Sequence, residues 1–150
     1  MSAAQPQANF MIQKIYVKDL SFEAPNSPAI FTDSWQPQAN MDMATNFEKL
    51  DDHHYEVVLR LTITAKLEDK IAFVIEVKQA GIFLIDNIEG DALNQLLHGY
   101  CPTTLFPYAR DAIASQVFRG SFPELNLAPI NFDALYLQGQ QQQVGTATIN

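Results

Sequence analysis

With 150 residues, 47% of them hydrophobic and 17% charged, the chain has the composition of a folded domain with its own core, which excludes a disordered or fibrous protein. A net charge of -8 excludes a phosphate-binding surface as the main partner site, since that needs clustered Lys and Arg, and favours a basic partner instead. The single cysteine, Cys101, excludes an intrachain disulfide and fits a reducing compartment.

The first residues, Met-Ser-Ala-Ala-Gln-Pro, lack the basic start and apolar run of a signal peptide, and the run Ile82 to Ile85 is too short to span a bilayer. A soluble, cytoplasmic protein is expected. Residues 1 to 9 read as a polar tail that frays. Phe10 to Glu23 alternates as one long strand. Phe10, Ile12, Tyr16, Leu20 and Phe22 form its core face, with Lys14 and Lys18 between them; Ile15, Val17, Asp19 and Glu23 lie on the other face. Ser21 to Trp35 carries two prolines and an Asn-Ser turn signal, yet also Phe22, Ile30, Phe31 and the only Trp. A long loop this apolar is expected to be packed, functional or both.

Gln38 to Thr45 reads as a short strand and Asn46 to His54 as a polar turn. Tyr55 to Lys66 is the clearest strand, rich in β-branched residues, with Tyr55, Val57, Leu59, Leu61, Ile63 and Ala65 on one face. After the turn Leu67 to Lys70, the alternation resumes from Ile71 to Gln79. Four strands with short late connections and one long early crossover suggest an antiparallel, Greek-key-like sheet.

Ile82 to Ile85 either extends the last strand or crosses the sheet edge. Gly90-Asp91 starts a short helix that ends near Gly99. Thr103 or Thr104 caps a longer one, with Pro107 in its first turn and Arg119-Gly120 as its stop. Ser121 to Ile130 is a second irregular apolar segment, and Asn131 caps a last helix containing Phe132, Leu135 and Tyr136. The run Gln140 to Gln143 and the residues after it should fray. One α+β domain over 1–150 accounts for the whole pattern.

Neither a catalytic nor a metal site emerges. The Asp51-Asp52-His53-His54 cluster places adjacent ligands on a turn, where they rarely converge, and a solvated turn is the plainer reading. His98 and Cys101 lack a group that would orient a base, so Cys101 reads as a small buried hydrophobe. With no glycine-rich phosphate loop and no nucleophile elbow, no enzyme and no cofactor are expected. What remains is two apolar irregular segments, Phe22 to Trp35 and Phe122 to Leu137, and the carboxylates Asp19, Glu23 and Glu76 with Val74 nearby. The segments either pack entirely inside or line a groove for extended apolar polypeptide. The carboxylates, taken alone, read as an ordinary solvent face.

Five blocks resemble the SecB protein-export chaperones in the same order: Ile15 to Asn26, Tyr55 to Leu59, Glu76 to Gly81, Leu105 to Arg110 and Leu125 to Leu135. The resemblance implies a four-stranded antiparallel sheet with helices packed on one face and a homotetramer built as a dimer of dimers. It implies ATP-independent holding of unfolded precursor proteins and their delivery to the motor SecA. Carried onto this chain, it implies a client groove of Phe22, Ile30, Phe31, Trp35, Leu125, Leu127, Phe132, Leu135 and Tyr136. It implies a SecA-binding surface of Asp19, Glu23, Val74 and Glu76, which replaces the solvent-face reading. Ile75, Val77 and Gln79 are implied at the oligomer interface. The Gln-rich C-terminus departs from the longer acidic tail of the family, and Asn94 to Tyr100 fits its pattern poorly. Chaperoning of a toxin–antitoxin pair is the alternative within the family; a small-molecule or lipid-binding protein is the alternative outside it.

Overall fold

The structure, a computed structural model, describes residues 7–139 and 146–149. Four long antiparallel strands dominate it: β1 (Asn9–Glu23), β2 (Gln38–Lys49), β3 (His54–Leu67) and β4 (Lys70–Asp86). Tight connections join β2, β3 and β4, and the long crossover leaves β1 beside β4, which is the expected Greek key. Of the tails expected over residues 1–9 and from 140 onward, residues 1–6 and 140–145 lie outside the described residues, and Asn9 already opens β1. Instead of fraying, a short β5 (Thr146–Ile149) pairs with Ala39–Asp42 of β2, giving the order β1-β4-β3-β2-β5. A free strand edge, with its row of unpaired backbone groups, is a template for such an addition.

Burial in β3 follows its sequence alternation, with Val57, Leu59, Leu61, Ile63 and Ala65 wholly buried on one side. β4 runs on through Ile82 to Ile85, burying Phe83 and Ile85. β1 is less regular, because its register against β4 shifts between Ile12 and Lys14 and again between Val17 and Asp19. Directly opposed residues share a face, and each shift inserts one residue that resets the alternation. Phe10, Ile12, Ile15, Val17, Leu20 and Phe22 therefore all lie on the face of Ile75, Val77 and Phe83. Tyr16 turns to the opposite face with Asp19, Ser21 and Glu23. Uniform alternation had assigned Ile15, Val17 and Tyr16 the other way.

One helical run covers the inner face. α1 (Gly90–Gln95) passes through a π-helical turn (Leu96–Tyr100) into α2 (Cys101–Arg119) without the break expected at Gly99. The Thr103 and Thr104 hydroxyls do not cap a new helix. They donate back to the carbonyls of Gly99 and Tyr100 at 2.7 and 3.0 Å, and Pro107 sits inside α2. Packing of Leu97, Cys101, Leu105, Ala109, Ile113 and Val117 into the core outweighs these local breakers. α3 (Phe132–Gly139) starts at its expected cap, where Asn131 Oδ1 accepts from the Ala134 amide at 3.0 Å. Among the described residues, no helix is long and apolar enough to cross a membrane.

Candidate functional site

The crossover between β1 and β2 folds over one end of the core. The Asn26 side chain donates to the Ile71 carbonyl at 2.9 Å, and a 3-10 turn at Ala29–Thr32 comes next. That turn drives Ile30 inward and leaves the next residue, Phe31, 48% exposed. Four rings, Phe22, Phe31, Trp35 and Phe73, gather around Phe122, their centroids 6.4, 5.0, 5.6 and 5.0 Å from it. Phe122 was not among the expected site residues. Its signal was its place just after the Gly120 stop: Ser121 takes the left-handed conformation (φ 64), and the Phe122 amide donates to the Val117 carbonyl at 3.2 Å. Leu125 borders an adjoining cleft of about 230 Å³ with Val117, Phe118 and Phe122.

A second recess, about 340 Å³, opens between β2 and α3, with Met43, His98, Phe132, Leu135 and Tyr136 among its walls. The Tyr136 ring stacks on the His98 imidazole at 4.8 Å with a 2° interplanar angle, and Phe47 meets His98 edge-on at 5.6 Å. Burial holds the His98 pKa below its ordinary value, so near neutral pH it serves as an uncharged aromatic spacer. Met43, Phe47 and His98 were missed as site residues. β2 reaches Lys49, whereas the polar character of Asn46 to His54 had suggested a turn.

The nine expected groove residues divide. Phe31 is exposed, and Phe22, Trp35, Leu125, Leu135 and Tyr136 are half-buried. Ile30, Leu127 and Phe132 are 3%, 7% and 4% exposed and belong to the core, the last against Phe106 at 5.9 Å. Phe132 still forms part of the wall of the recess beside α3, whereas Ile30 and Leu127 pack into the core and line neither recess. The six accessible residues fall into two groups, one at the crossover end and one at α3.

The carboxylate set does come together. Glu23 lies opposite Val74, Ser21 opposite Glu76 and Asp19 opposite Lys78, all on the sheet face turned away from the helices. Asp19 and Glu23 are exposed, Val74 and Glu76 half-buried. Ile75 and Val77 face the other way and are 0% exposed, so their side chains pack inside the subunit. Gln79, only 2% exposed, donates its Nε2 to the Tyr16 carbonyl at 3.1 Å, while its Oε1 has no partner. The open part of that inner face is β1, where Ile12, Val17 and Leu20 keep 37%, 48% and 37% of their surface.

Asp51 pairs with His54 at 2.7 Å, and His53 pairs with Asp86. Among the described residues, no group of three or more His, Cys, Asp or Glu is arranged to hold a metal ion. Cys101 is wholly buried, and burial pushes its thiol up to about 12, which suits packing better than nucleophilic chemistry.

A family model described as Preprotein translocase subunit SecB matches residues 3–143. A protein-export protein SecB from Marinobacter nauticus is 54% identical over 147 residues, 95% of this chain and 89% of that protein. Another from Hahella chejuensis is 55% identical over 140 residues, 93% of this chain and 88% of that protein. Among solved structures, the Mycobacterium tuberculosis Rv1957 SecB-like chaperone, in complex with a ChAD peptide from the Rv1956 HigA1 antitoxin, shares the fold. The TM-score is 0.68 at 14% identity, over 81% of this chain and 91% of that one. A family match along nearly the whole sequence, with relatives more than half identical, places this chain in the SecB family.

Proposed function

We propose that this chain is an ATP-independent export chaperone of the cytoplasm, which holds non-native precursor proteins in extended form and delivers them to the motor SecA. The observation that carries the reading is the division of labour between surfaces. Partly open aromatic and aliphatic recesses at the crossover and beside α3 suit apolar stretches of a client. The carboxylate group of Asp19, Glu23 and Glu76 occupies the outer sheet face, where SecA can dock while a client is held. Rings supply large contact area with few rotatable bonds, and Met43 adapts to varied shapes.

Each recess alone is small, so slow client release calls for several of them on one assembly, through effective concentration. A homotetramer of single-domain subunits provides this. The exposed apolar strip of β1 and the orphan Gln79 oxygen beside it favour β1 as a contact between copies. Relatives at 54% and 55% identity are named for protein export, which favours precursors over an antitoxin as the client.

The test is refolding of a slowly folding, chemically unfolded precursor with the purified chain present and ATP absent. A delay in refolding, together with a complex isolable by gel filtration, is expected. Unaltered refolding and no complex would reject the chaperone reading.

A further inference from the structure

Next to the carboxylates, the outer sheet face carries an unbalanced patch of the opposite sign. Arg60 of β3 and Lys78 of β4 are registered partners, so two cations stand directly opposite one another, both half-buried. Like charges in that position destabilise a sheet. The chain has only 9 Lys and Arg against 17 Asp and Glu, yet among the described residues neither Arg60 nor Lys78 forms an ion pair. Asp19 lies in register with Lys78 on the β1 side without pairing to it. Glu56 is already matched, because it accepts from Lys18 Nζ at 2.8 Å and from the Tyr16 hydroxyl. Those bonds, Lys18 foremost, hold the Glu56 carboxyl below its ordinary range.

Arg60, Lys78 and Lys18 border a shallow hollow of about 500 Å³, with Ala44, Val58 and Phe47 as its apolar part and Glu48 and Glu56 also on its margin. Glu76 precedes Lys78 by two residues on the same face, about 7 Å along the strand. We propose that the hollow receives a carboxylate of the partner segment that docks beside it. The occupant is thus a mixed-charge peptide segment, with basic residues over Glu23 and Glu76 and an acidic residue one strand repeat beyond Glu76, over Arg60 and Lys78, where Asp19 flanks it from β1. This rests on the docking assignment above and adds to it a direction along the strand. A partner reversed or shifted by one repeat brings like charges together, which is how charge pattern fixes register.

Calorimetric titration of SecA into the full chain at low salt tests it. Glu76→Lys probes the docking reading alone and is expected to abolish binding. The double reversal Arg60→Glu with Lys78→Glu is expected to weaken binding about tenfold or more. A purely basic partner would instead bind that variant more tightly, since two carboxylates are gained. Unchanged or tighter binding, with Glu76→Lys still inactive, overturns the proposal and spares the docking reading; full binding by Glu76→Lys overturns both. If the double reversal misfolds, Arg60→Gln with Lys78→Gln replaces it. That pair relieves the like-charge contact, so its melting temperature should hold or rise while SecA affinity falls. Unchanged affinity there overturns the proposal as well.

Discussion

Phe122 is 6% exposed, and the rings around it come from three places: Phe22 at the end of β1, Phe31 and Trp35 in the crossover, and Phe73 in β4. One side chain therefore ties the crossover to the sheet. Truncating a buried Phe costs about 3–5 kcal/mol, from lost transfer energy plus the cavity left behind. Phe122→Ala is expected to lose stability in that range in urea unfolding. The emission of Trp35, the only Trp, should move to the red in the folded variant as the crossover loosens. Native stability with unmoved emission would mean that other contacts hold the crossover. At this scale the kind of site was legible in the sequence, since large rings in a proline-rich stretch have to pack on something. Which rings stay wet was not. Ile30 and Phe31 are neighbours of similar hydrophobicity, and only the 3-10 turn sends one inward and the other out.

β3 could be read from alternation because it keeps one uninterrupted period, and β4 does so from Phe73 to Gln79, after a register shift that inserts Ala72. β1 could not. Two inserted residues keep six apolar side chains on the inner face, and no local signal marks where the insertions fall. The helices show the opposite failure: Gly99, Pro102 and Pro107 are breakers by propensity, but burial against the sheet carries the helical run through them. α3, with eight residues, is too short to stand by itself. It depends on Phe132 beneath it, the Tyr136–His98 stack and the Asn131 cap. Asn131→Ala removes a cap worth about 1 kcal/mol, close to a fivefold change in an equilibrium. Amides of α3 are therefore expected to exchange with deuterium about fivefold faster, while those of β3 stay unchanged, as local opening predicts. Equal acceleration in β3 would show instead that α3 opens only with global unfolding.

For the molecule as a whole, the unfinished surface is β1. It is a fifteen-residue edge strand, and its inner face leaves Ile12, Val17 and Leu20 more than a third exposed beside the orphan oxygen of Gln79. Long uncovered edges of this kind invite pairing with another chain. At -8 per chain, copies repel one another, so the association proposed above would have to be driven by apolar burial and not by long-range attraction. Placing carboxylates in the strip sets both effects against assembly at once, and leaves the buried core residues of β3 and β4 untouched. Val17→Asp with Leu20→Asp is therefore expected to reduce the mass measured by light scattering to that of one chain, with the far-ultraviolet circular dichroism preserved. If client holding depends on recesses from several subunits, the same variant should bind an unfolded precursor at least about 100-fold more weakly, the lower end of what linked sites contribute. A dissociated variant that still holds precursors at full strength would place the whole binding energy within one subunit, and an undiminished mass would place the contact between copies elsewhere than on β1.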